Sequence, residues 1–218
     1  MSWNGQTSLR RLGILGGTFD PPQLGHLILA EYTRDELELE HVLFVPVGDH
    51  PQKSLTRLPL QHRLQMLNLA IANNPSFSIS HVDIDRPGPH YSADTVRIIQ
   101  DAHPEAQLYF LMGGDNLRDL PTWHHAQTLY RNSRLAVMKR ADEDISPNMH
   151  DDVFPDLAAH VDLIDVPMLS VWVSSTMISK RLRDGKSVRY LVPDAVLEYI
   201  HEHSLYSVQK ADHEAIDS

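Results

Sequence analysis

Short, continuously apolar runs that alternate with stretches of helical periodicity constrain this chain more than any other feature. Leu12, Ile14 and Leu15 lead into Gly16-Gly17, Val42-Leu43-Phe44-Val45 into Pro46, and residues 107–112 into Gly113-Gly114-Asp115. Segments 77–82, 135–138 and 161–166 have the same character. Between them, 24–39, 60–72, 92–102, 123–130, 175–183 and 193–201 carry apolar residues at three-to-four spacing and read as helices. A strand with one wet face alternates apolar and polar residues; a run without alternation is buried on both faces. The expected fold is therefore α/β: a doubly wound, mostly parallel, Rossmann-like sheet with helices on both faces and a small helical C-terminal part.

The chain has 218 residues, which alone allows one or two domains. No repeat or low-complexity linker divides it, so one domain is expected over 1–205, with a helical subregion at about 174–205 and a polar tail at 206–218. Segment 48–58 reads as a polar loop and 141–160 as an acidic excursion. The sequence has no Cys, which excludes disulfides, thiolate metal sites and a cysteine nucleophile. No run approaches 18 apolar residues and no leader pattern is visible, so a cytoplasmic protein with no membrane partner is expected. The net charge of -10 argues against nucleic acid as a partner. It does not exclude phosphates, because the charge is unevenly placed. Positions 141–170 hold eight acidic residues and no Lys or Arg, whereas Lys180, Arg181, Arg183, Lys186 and Arg189 fall within ten positions. That cluster reads either as a solvated helix face or as a local anion site.

In open parallel sheets ligands bind at the carboxyl ends of the strands. Gly16-Gly17-Thr18-Phe19-Asp20-Pro21-Pro22-Gln23-Leu24-Gly25-His26 stands at such an end. The glycines let the backbone turn sharply, and the free amides of the following helix favour an anion. The run lacks the Gly-x-Gly-x-x-Gly dinucleotide fingerprint and the Gly-Lys-Ser/Thr of a P-loop. By itself a glycine turn is a weak signal.

The whole eleven-residue run resembles the opening motif of the bacterial nicotinate-nucleotide adenylyltransferases, members of the nucleotidylyltransferase superfamily. The resemblance spans nearly the whole chain. His62-Arg63 with Met66, the 89–95 segment, Gly113-Gly114-Asp115, Pro121-Thr122-Trp123-His124, Ser174-Ser175-Thr176 and the 185–193 segment all stand in family order. It implies attack of a mononucleotide 5′-phosphate on the α-phosphorus of ATP, with pyrophosphate released and Mg²⁺ assisting. Nicotinate mononucleotide is the implied acceptor. Nicotinamide mononucleotide or another phosphorylated acceptor, and a nucleotide-binding paralogue with weak or no turnover, stay open beside it. Nucleotides are the implied partners; monomer and homo-oligomer are both open.

The resemblance also implies residue roles. His26, Gln23 and Lys53 would act on phosphate groups. Gly16, Gly17, Thr18, Phe19, Asp115, Ser174, Ser175, Thr176 and Lys180 would hold ATP. Thr95, Tyr91, Trp123 and Gly113 would shape the acceptor pocket. No residue is assigned as a metal ligand. Plainer readings stand beside these: a surface His at a helix start, a solvated Lys53, a Trp123 packed in the core, and an Asp115 or Ser174 that only caps a turn. Asp20 reads as a structural turn residue. Three positions depart from the family pattern: Gln23 where His or Thr is usual, Gln52 where His often precedes the basic residue, and Ser179 where Arg is expected. Each departure lowers positive charge or proton-donating capacity.

Overall fold

The computed structural model describes residues 9–48, 58–139, 143–165 and 173–207. Six strands form one parallel sheet: β1 (Arg11–Gly17), β2 (His41–Pro46), β3 (Phe77–Ile79), β4 (Gln107–Gly113), β5 (Arg134–Lys139) and β6 (Val161–Asp165), in the order β3-β2-β1-β4-β5-β6. The order reverses between β1 and β4, so a crevice opens at their carboxyl ends. The helices are α1 (Leu24–Glu36), α2 (Leu60–Ile71), α3 (Ser92–Ala102), α4 (Gly114–Asp119), α5 (Ala126–Asn132), α6 (Ser175–Arg183) and α7 (Asp194–Glu202).

The continuous apolar runs have a simple cause. Successive strand side chains point to opposite faces, and both faces are covered. Leu108, Phe110 and Met112 of β4 join Val96, Ile99, Leu129 and Tyr130 of α3 and α5 on one side. Tyr109 and Leu111 join Leu29, Ala30, Leu67 and Ile71 of α1 and α2 on the other. A third cluster joins Met66 of α2 to Ile178 of α6 and to Val196, Leu197 and Ile200 of α7. Leu205 and Tyr206 pack against it, so the segment expected to begin the polar tail starts with a seated side chain.

Several boundaries differ from the sequence reading. α1 ends at Glu36 rather than 39, because Glu38 adopts a left-handed φ of 50° that no helix continues. The helix expected at 123–130 is α5, which starts later, at Ala126, and is preceded by α4 and a 3-10 turn at Leu120–Thr122. His125, with φ 56°, breaks the chain just before α5. The acidic stretch is packed rather than extruded where it is described: Ile145 and Leu157 are buried, and Met149 and Phe154 lie against the core. Asp156 there accepts hydrogen bonds from Tyr130 Oη at 2.6 Å and Arg131 at 2.7 Å.

Candidate active site

β1 ends at Gly17, where a Cβ would lie 3.0 Å from the Phe19 ring. Phe19 itself has φ 50°, a strained conformation for a bulky residue. Burial of its ring holds it there, against Phe44 at 5.8 Å and edge-on to His26 at 5.0 Å between centroids. α1 begins under a cap supplied by Gln23. Its Oε1 accepts from the Gly25 N–H, and its Nε2 donates to the Val173 carbonyl at 3.2 Å. The Gln23 backbone N–H donates to His26 Nδ1 at 3.2 Å. Nδ1 is thus an acceptor, which places the proton of the neutral ring on Nε2. Part of His26 remains open to the cavity; the protein around the rest pushes its pKa down to about 4 by desolvation. At neutral pH it is an uncharged hydrogen-bond donor.

Across the crevice, β4 ends at Gly113, the cap of α4. The Asp115 carboxylate folds back so closely that a Cβ on Gly113 would sit 2.5 Å from Oδ1. The third wall is the head of α6. Ser174 caps this helix, its Oγ accepting from the Met177 N–H at 3.2 Å, and Ser175 Oγ donates to the Pro21 carbonyl at 2.8 Å. That second bond ties α6 to the turn after β1 across 154 positions of sequence. Two helices of nine or more residues, α1 and α6, therefore start at one cavity, and the positive ends of their dipoles favour anions there.

The cavity has a volume of about 440 Å³. Gly16, Gly17, Thr18, Gln23, His26, Gly113, Asp115, Trp123, Ser174 and Ser175 all line it, which brings ten of the expected residues together. Trp123 stands edge-on to Phe110 at 6.1 Å. The other expected residues lie elsewhere. Phe19 supports His26 from the core. Thr95 is buried, its Oγ1 donating to Asp83 Oδ1 at 2.8 Å, while Arg86 bridges both at 2.8 and 3.2 Å. This network fixes the loop between β3 and α3. Tyr91 lies against His124, centroids 4.1 Å apart. Thr176 is exposed on α6, and its carbonyl accepts from Ser179 Oγ at 3.1 Å. Lys180 is exposed and pairs with Asp184 at 2.7 Å, away from the cavity lining. Lys53 and Gln52 lie outside the described residues.

The chain matches the cytidylyltransferase-like family over residues 14–181. A probable nicotinate-nucleotide adenylyltransferase of Thermomicrobium roseum is 42% identical over 204 residues, covering 93% of this chain and 94% of that protein. Its counterpart from Oceanobacillus iheyensis is 37% identical over 198 residues, covering 91% and 97%. The chain belongs to the nicotinate-nucleotide adenylyltransferase family. The fold agrees: a Plasmodium falciparum nicotinic acid mononucleotide adenylyltransferase, solved in complex with NaAD, superposes with a TM-score of 0.77 at 20% identity, covering 90% of this chain and 97% of that one.

A nicotinate-nucleotide adenylyltransferase cavity contains residues here that sequence reasoning did not single out. Asp83, His90, Ser92 and Asn116 line it beside Trp123. Ser92 and Asn116 sit at helix beginnings next to recognised motifs, which was a usable signal. Asp83 and His90 reach the cavity from the loop between β3 and α3; the bonds from Thr95 and Arg86 hold Asp83 there, and His90 stands within the 89–95 motif. Arg63 was recognised only as part of a motif; it is fully buried and bonded to three carbonyls.

Proposed function

We propose that this chain transfers AMP from ATP to nicotinate mononucleotide, giving nicotinate adenine dinucleotide and pyrophosphate. One observation carries the reading: the starts of α1 and α6, the Gly16–Thr18 backbone, the neutral His26 and the Asp115 carboxylate converge on a single cavity that also holds Trp123. Phosphoryl chemistry of this kind needs little covalent help from the protein. It needs two anionic substrates aligned and the charge developing on phosphorus and the leaving group stabilised. In this reading α1, Gly17, Thr18 and His26 Nε2 hold the reacting phosphates, and α6 with Ser174 and Ser175 holds the ATP end. Asp115 positions ribose or metal-bound phosphate, and Trp123 offers a face for the pyridine ring.

Among the described residues no group of three or more His, Asp or Glu could hold a metal by itself. Asp115, a carboxylate in the cavity lining, is of the type that would hold Mg²⁺ together with substrate phosphates. Bound so, the ion would neutralise charge on the phosphates. Among the described residues no helix is long and apolar enough to cross a membrane. We read the protein as a single catalytic domain of the cytoplasm, monomeric or homo-oligomeric, that takes nucleotides as its partners.

A second reading, nucleotide binding with slow turnover, draws on two side chains. Gln23 spends both ends of its amide on the α1 cap and Val173, and Ser179 is buried with its hydroxyl on Thr176. Neither presents a positive charge. Incubation with ATP, Mg²⁺ and either nicotinate or nicotinamide mononucleotide decides between the readings. Rapid pyrophosphate release with formation of the acid dinucleotide supports the first. Saturable ATP binding without product supports the second and sinks the first.

A further inference from the structure

Three residues outside the cavity lining, Arg63, Asp20 and Tyr206, bond to the turn after β1 and to the segments beside it. Arg63 of α2 is fully buried. Its Nη1 donates to the carbonyls of Thr18 and Val47, both at 2.9 Å, and its Nε to that of Leu58 at 3.1 Å. Thr18 and Val47 both line the cavity. Asp20 answers from the same turn: one carboxylate oxygen accepts from the Leu58 N–H at 3.0 Å, and the other accepts from the Tyr206 hydroxyl. Tyr206 follows α7 and lies 186 positions from Asp20. The turn after β1, the exit of β2, the entry to α2 and the C-terminal segment thus meet at one set of bonds.

Tyr206 is held with φ 62°, which a bulky residue keeps only when its contacts over-determine it. Burial beside the Asp20 carboxylate pushes its phenol well above the usual range, so it is a proton donor throughout the working pH range. The three carbonyls fix the Arg63 fork from three directions, leaving the turn little freedom to drift. An anion held by the backbone at 16–18 feels any such drift directly.

We propose that Tyr206 is a positioning residue for the reaction: acting through Asp20, with Arg63 fixing the other side, it sets the place of the Thr18–Asp20 turn, so that the C-terminal segment completes the phosphate wall of the site. The role in turnover rests on the adenylyl-transfer reading; the clasp itself does not.

The test uses full-length Tyr206→Phe, Asp20→Asn and the double variant. Tyr206→Phe keeps the ring in the α2–α7 cluster and Asp20→Asn is isosteric, so two independent routes to a folded variant exist. In the ligand-free protein, hydrogen exchange should quicken in peptides covering 16–24 and 58–62 and stay unchanged in β4. The KM for ATP should rise about tenfold in each single variant and no further in the double variant, as expected for one shared contact. Loss of folded protein would lower kcat and leave KM alone. Unchanged exchange at the turn, or a KM within about twofold of wild type with only the melting temperature lowered, overturns the proposal. A wild-type protein that makes no dinucleotide counts against the proposed function instead. The ligand arm is then calorimetric affinity for a non-hydrolysable ATP analogue, read with the same expectations.

Discussion

The chemistry of His26 depends on what packs around it. A histidine at the start of a helix in water would titrate near its ordinary value. Here burial lowers it to about 4, and the Gln23 backbone N–H fixes the tautomer. A bound polyphosphate would oppose that shift, because a nearby anion favours the imidazolium. Histidine NMR should therefore show His26 titrating near pH 4 in the free protein and moving upward on addition of ATP. His26→Ala should lower kcat/KM by about 10²–10³-fold, the usual effect of removing one donor to developing charge, with the fold intact by circular dichroism. That His26 stands at the start of α1 beside the cavity was legible from the Gly25-His26 pair in its motif. Its charge state was not, because desolvation is a property of what packs around the ring. Gln23 carries the opposite lesson. As a residue type it resembles a weakened phosphate donor, but its neighbours commit it to capping.

At the scale of elements, caps and loop networks position the site. Ser174 satisfies an orphan amide of α6, and Ser174→Ala should destabilise the protein by about 1 kcal/mol in urea unfolding and weaken ATP binding. Thr95→Val should cost about 1–2 kcal/mol by removing one hydroxyl from the Asp83–Arg86 network. It should also loosen the loop carrying Asp83 and His90, visible as faster hydrogen exchange at 83–91. Thr95 was expected to help shape the acceptor pocket; its hydroxyl bonds to Asp83, on the loop that brings Asp83 and His90 to the cavity. Strands and long helices were readable because their periodicity reflects burial on two faces or one. The α4–α5 region was not. There two short helices and a 3-10 turn follow one another between Gly114 and Asn132, and Pro121 and a left-handed His125 decide the course of the chain through local dihedrals. A carboxylate packed 2.5 Å from where a Gly113 Cβ would stand leaves no periodic trace.

Over the whole molecule, buried imidazoles set the acid limit of stability. His26 and His41 are both harder to protonate in the folded protein than in the unfolded chain, in each case because of burial. The unfolded state therefore binds more protons below the ordinary histidine value of about 6.5, and stability falls as pH drops from there towards 4. For His26 the loss is at most about 3 kcal/mol, given that part of the ring meets the cavity. Below this window the fall continues as carboxylates held low by Arg34 on Glu31 and by Tyr130 and Arg131 on Asp156 take up protons. Urea unfolding between pH 7.5 and 4.5 should show the decline, and His26→Gln should flatten it.

By itself the sequence determined the sheet, its two covered faces and the motifs at the strand ends. Hydrophobic period and glycine placement are local records of burial and backbone geometry. Family membership was equally legible, since it rests on motif order along the chain. The tertiary structure alone decided which motif residues share the cavity. It brought Ser174 and Ser175 to the turn after β1, left Lys180 paired with Asp184 in solvent, and seated Tyr206 on Asp20. In the proposed reading it also reconciles the net charge of -10 with phosphate substrates: the cavity is lined by helix starts, strand-end backbone and an uncharged imidazole. Those are dipoles oriented by folding, and no count of charged residues contains them.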